Sequence, residues 1–181
     1  MRTTHFISRD KELAMIQKVI YNIKQSQDYY KGWFNPRETL MLMVSPDFSG
    51  IASTVISHAL SDLGECMYTD CIHVPDPDED VDLFKLRLEE DWPGIRRGFE
   101  GVPYKCFLLC EAGVISGRNF TWVDEFIRNN GAEDVKSIAL FENKNSVYKS
   151  TFVGEYYNND EQDLTFWWEN PNRAFGDLQF L

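Results

Sequence analysis

The sequence predicts an α/β fold, a parallel sheet covered by helices on both faces, on three observations. Leu40 to Val44, Lys105 to Glu111 and Ser137 to Phe141 are short, nearly all-apolar runs, as strands buried on both faces must be. Between them lie stretches whose apolar residues recur every three or four positions, the helix period. The order strand, helix, strand, loop, strand, helix, strand is the rhythm of parallel strands joined by crossovers. In such sheets ligands bind beyond the carboxyl ends of the strands, so a site is expected on the loops after Val44, Glu111 and Phe141.

From Ser8 onward, Leu13, Ile16, Ile20 and Ile23 form one helical stripe. The run Leu40 to Val44 breaks at Ser45-Pro46-Asp47-Phe48-Ser49-Gly50, a loop signal. A second helix follows with Ile51, Val55, Ala59, Leu60 and Leu63 on one face and Gly64 as its stop. Met67 to Val74 reads as a strand. From Pro75 to Gly101 the pattern lapses into an acidic stretch, read as a solvated, mobile loop from Asp76 to about Glu90. That stretch is no calcium loop, because Val81 stands where the turn needs Gly and Arg87 where a bidentate Glu belongs. After Glu111 comes a turn from Ala112 to Arg118. A helix is expected to open near Asn119 as N-cap, bury Phe120, Val123 and Ile127, and stop at Asn130-Gly131. Nine aromatic residues crowd the last 34 positions. They fit either a flap packed on the sheet or a hood that stacks a base.

The 181 residues suit one domain. A net charge of −11 and a pI near 4.7 argue against a protein that wraps a nucleic acid polymer, which needs a basic surface. The start has no apolar signal core, and no apolar run is long enough to cross a membrane. A cytoplasmic location with free thiols is therefore expected. Neither Cys66 with Cys71 nor Cys106 with Cys110 has the spacing of a zinc knuckle, and His5, His58 and His73 are scattered.

The strongest local signal is Leu108 to Asn119, a buried strand running into a turn of small residues and a helix start. The segment is either an ordinary strand-to-helix turn or one where converging backbone N–H groups stabilise a phosphate, with Arg118 adding charge. It is neither a Walker A loop nor Gly-x-Gly-x-x-Gly. This segment is similar to the phosphoribosyl-pyrophosphate signature of type I phosphoribosyltransferases. His5-Phe6-Ile7-Ser8, Val135 to Leu140, Tyr148 to Gly154, Phe166-Trp167-Trp168-Glu169 and Ala174 to Leu178 resemble the hypoxanthine-guanine branch in the same order. The resemblance implies one domain over 1–181, with a core over about 1–145 and an aromatic hood over about 146–181.

It also implies transfer of phosphoribosyl from phosphoribosyl pyrophosphate, with Mg2+, to a nucleobase, most naturally a purine, giving a nucleoside monophosphate. In that scheme Glu111 is the catalytic and metal-binding acid, Ser116, Gly117, Arg118 and Asn119 hold the 5′-phosphate, and Ser49 and Gly50 belong to the pyrophosphate loop. Lys144, Trp167 and Trp168 meet the base. Self-association is left open. The chain departs from the family's pattern where the chemistry lies: Ala112 and Ile115 replace two acids, and Asp47-Phe48 precede Ser49-Gly50 where a basic residue and glycine are usual. The alternative is therefore a catalytically degenerate member that binds a nucleotide, a phosphosugar or a protein partner.

Overall fold

The structure is a computed structural model that describes residues 3–44, 46–60, 67–72, 81–98, 101–158 and 162–167. The elements run β1 (Thr3–Ile7), α1 (Arg9–Gln25), α2 (Gln27–Tyr30), β2 (Thr39–Val44), α3 (Pro46–Ala59), β3 (Thr69–Ile72) and α4 (Val81–Ile95). They continue with β4 (Cys106–Val114), α5 (Arg118–Asn129), β5 (Asp134–Asn143), β6 (Phe152–Tyr157) and β7 (Gln162–Phe166). Five strands form one sheet in the order β3-β2-β4-β5-β6, and β1 pairs with β7 in a separate ribbon. Every pairing is parallel. The three apolar runs are the three inner strands.

Each inner strand feeds two cores, because successive side chains point to opposite faces. Met41, Leu108, Cys110, Ala112 and Ile138 pack with Ile16, Val19 and Ile23 of α1 and with Ala52 and Ile56 of α3. Leu40, Leu42, Phe107 and Leu109 pack with Leu88, Trp92 and Ile95 of α4 and with Phe120, Val123 and Ile127 of α5. Helix α1 starts on Ser8, whose hydroxyl accepts from the Lys11 amide at 3.2 Å, the interaction that satisfies an otherwise orphaned donor. Among the described residues no helix is long and apolar enough to cross a membrane.

Several boundaries differ from the expected ones. The stretch read as a loop after Val44 is helical from Pro46, so Ser49 and Gly50 lie in the first turns of α3. Proline suits a helix start because its missing N–H has no partner there in any case. The segment 81–90, read as mobile loop, is helical: Leu88, Trp92 and Ile95 of α4 are buried, a stripe hidden by the acids around it. The acidic residues from Asp76 to Asp80 lie outside the described residues. Strand β4 runs to Val114, beyond Glu111, because it stays paired with β5 as far as Glu142. Helix α5 takes Gly117, at φ 78°, as its N-cap, which puts Asn119 inside the helix. Within the segment read as hood, 152–157 extends the central sheet as β6, with Ile138 opposite Phe152 and Phe141 opposite Glu155.

Candidate phosphate-binding site

The turn 115–118 links β4 to α5 at the carboxyl end of the sheet. A left-handed backbone at Gly117 reverses the chain into the helix, and Ser116 Oγ accepts from the Arg118 amide at 3.3 Å. Ser116 and Arg118 are exposed and Asn119 is half-buried. Arg118 has no ion-pair partner among the described residues. An exposed guanidinium, unpaired among the described residues, therefore belongs to the first turn of a helix, the electrostatic setting an anion seeks.

A second loop, over residues 144–151, is docked on this turn. Asn143 Nδ2 donates to the Ile115 carbonyl at 3.0 Å, and Asn143 Oδ1 accepts from the Asn145 amide at 3.1 Å. The Val147 amide donates to the Ser116 carbonyl at 2.9 Å. Gly117 lies against Ser146 and the Tyr148 amide so closely that a Cβ there would collide with both. Tyr148 fastens the loop to α5, with its hydroxyl donating to Asp124 Oδ2 at 2.9 Å and its ring edge-on to Phe120 at 5.2 Å. The Ser150 amide donates to Glu142 Oε2 at 2.8 Å, and Glu142 is fully buried. Lys144 is exposed on this loop, its own carbonyl accepting from Lys149 Nζ at 2.8 Å.

The structure thus brings Ser116, Gly117, Arg118 and Lys144 onto two touching loops. Trp167 is engaged on α1, where its Nε1 donates to Glu12 Oε2 at 2.6 Å. Burial raises the pKa of Glu12, and the Trp167 bond partly opposes that rise. Its neighbour Phe166 packs over Gly113 and edge-on to Phe141 at 5.7 Å, so this part of the aromatic tail is a flap on the sheet. Trp168 lies outside the described residues. Asn143 and Glu142 were not legible as site residues, because their partners are distant in sequence or are backbone atoms. The only signal was an Asn-Lys-Asn turn after a buried strand.

Glu111 sits inside β4 opposite Ala139. The residue is half-buried, and burial pushes its pKa up to about 8. Magnesium takes hard oxygen ligands, mainly carboxylates and substrate phosphates. Of the three positions where the resemblance looks for acids, only Glu111 holds one, while Ala112 is fully buried in the core and Ile115 is 54% exposed and apolar. Among the described residues no three of His, Cys, Asp or Glu stand together as a metal site. This donor set does not fit the implied magnesium.

No family model matches the sequence, and no curated protein does. Solved structures do match the fold. Xanthine-guanine-hypoxanthine phosphoribosyltransferase of Helicobacter pylori is similar with a TM-score of 0.60 at 14% identity, over 97% of this chain and 99% of the other. A purine phosphoribosyltransferase of Pyrococcus horikoshii gives 0.58 at 13% identity, over 92% and 94%. A hypothetical protein of Neisseria gonorrhoeae with bound ppGpp gives 0.63 at 12% identity, over 96% and 93%. The fold is that of the purine phosphoribosyltransferases.

Proposed function

We propose that this chain binds a phosphorylated ribose compound on the turn 115–118 and does not transfer phosphoribosyl groups. The observation that carries this reading is Ala112, fully buried in the core within a strand that stays paired to Val114. An acid there would have to enter an apolar core, at a cost that neutralisation of the group usually avoids. Transfer passes through a cationic sugar that carboxylates stabilise and a leaving pyrophosphate that magnesium neutralises. Glu111, the one acid kept, favours the enzyme reading by its position, and Ala112 and Ile115, where two acids are lost, oppose it.

Anion binding asks for less. Backbone N–H groups at a helix start and one guanidinium suffice. The resemblance and the fold shared with purine phosphoribosyltransferases support a purine nucleotide or phosphosugar as the ligand, with a cytoplasmic role. The test is calorimetry with nucleoside monophosphates and ribose 5-phosphate, beside an assay that mixes phosphoribosyl pyrophosphate, Mg2+ and each purine base. Binding without formation of nucleotide and pyrophosphate is expected. Turnover would overturn the loss of transfer, and absence of all binding would overturn the site.

A further inference from the structure

The two touching loops of the candidate site carry charge against the trend of the chain. Residues 115–118 and 144–151 include Arg118, Lys144 and Lys149, all exposed, and not one acid, although the whole chain has 18 basic residues against 29 acidic ones. Lys149 Nζ stands 3.9 Å from the buried Glu142 carboxylate. Arg118 and Lys144 have no ion-pair partner among the described residues. The same loops expose two aliphatic side chains, Ile115 at 54% and Val147 at 71%, on backbones joined by the bond from the Val147 amide to the Ser116 carbonyl at 2.9 Å. Single exposed aliphatics are ordinary, but neighbouring ones rimmed by polar residues mark a surface that another molecule covers. Both are β-branched and stiff. The loops that carry them are fixed by the Asn143 bond to the Ile115 carbonyl and by the Tyr148 hydroxyl on Asp124, so covering them immobilises little that is not already held.

We propose that this surface docks an acidic segment of a partner protein, whose apolar side chains cover Ile115 and Val147 while its carboxylates meet Arg118, Lys144 and Lys149. Charge complementarity selects the occupant. Carboxylates answer cations that this chain leaves uncompensated, and they steer the encounter, while the covered aliphatic area slows release. A nucleic acid polymer would find three cations on a molecule of net charge −11 and nothing apolar to gain. A second copy would bring the same net charge of −11 and repel at long range. The inference goes beyond the phosphate reading and does not require it, since Ile115 and Val147 offer a phosphate no hydrogen bond from their side chains.

The experiment selects random displayed peptides of about twelve residues, long enough when extended to cross both loops, on the full chain. Enriched peptides should be acidic and carry at least one large apolar residue. A synthetic copy of one, followed by fluorescence anisotropy, should bind Val147→Ser about fivefold or more weakly than the parent and Lys144→Glu about tenfold or more weakly. Raising the salt from about 0.05 M to about 0.5 M should weaken binding to the parent several-fold. Both substitutions are on exposed positions, so thermal melts should match the parent's and exclude a general loss of structure. No enrichment, enrichment of neutral or basic peptides, or an affinity that ignores Val147→Ser would overturn the proposal. So would self-association of the parent that Val147→Ser abolishes, which would assign the surface to a second copy. Nucleoside monophosphates titrated into parent and Val147→Ser proteins test the phosphate reading separately: absence of binding to both, with the peptide still bound by the parent, fails that reading and leaves the docking surface standing.

Discussion

Burial holds the Glu111 carboxyl protonated to a higher pH than an exposed glutamate. Its pKa lies near 8 in the folded chain against an ordinary 4.5, so between those values the native state holds one more proton than the unfolded state. Stability therefore falls as pH rises from about 4.5 to about 8, by about 1.4 kcal/mol per pH unit from this group. Glu111→Gln, which stays neutral, should remove that slope. Urea unfolding at pH 5 and pH 8.5 checks it: the variant should gain on the parent at the higher pH, and an unchanged difference would contradict a buried, neutral acid. At Gly117 the expectation is structural as well as functional. Its φ of 78° and the collision that a Cβ would meet at Ser146 and Tyr148 mean that Gly117→Val should cost about 2 kcal/mol or more. A thermal melt close to the parent's would show that the turn has more room than its geometry allows.

Among elements, α5 carries the most, since it both starts at the candidate site's turn and helps fill one core. Phe120 is fully buried between the strands and Tyr148, so Phe120→Ala should destabilise by about 3–5 kcal/mol, read from the urea midpoint at constant slope. The inner strands and the buried face of α5 were legible because burial on both faces leaves uninterrupted apolar runs and the helix period is clear. Helix α4 was not, because its buried Leu88, Trp92 and Ile95 are set among Glu89, Glu90, Asp91 and Pro93, and charge density masks the period. The end of β4 was illegible for a different reason. Ala112 and Gly113 read as turn residues, and only the hydrogen-bond ladder to β5 keeps them in the strand. The turn from β4 into α5 was visible in sequence from its small residues, whereas the Asn143 bridge spans 28 residues and no local pattern announces it.

Across the whole molecule, the excess of acid over base sets its behaviour in solution. With a net charge of −11 the chain should bind an anion exchanger and pass through a heparin column at neutral pH, and retention on heparin would contradict the exclusion of polyanion partners. The position of β6 has a further consequence. Among the described residues no strand pairs with its outer flank, and an open flank is a template on which another chain can add a strand. Two features blunt it: Lys18 of α1 donates its ammonium to the Gly154 carbonyl, and Glu155, held by Lys11 at 2.9 Å, sets a charged pair along the rim. Lysine on a sheet border makes stacking of a second copy costly, because the incoming strand would have to bury that charge. That border is thereby protected against fibrous self-addition, and Lys18→Ala should show it as faster aggregation on mild heating with little change in unfolding midpoint.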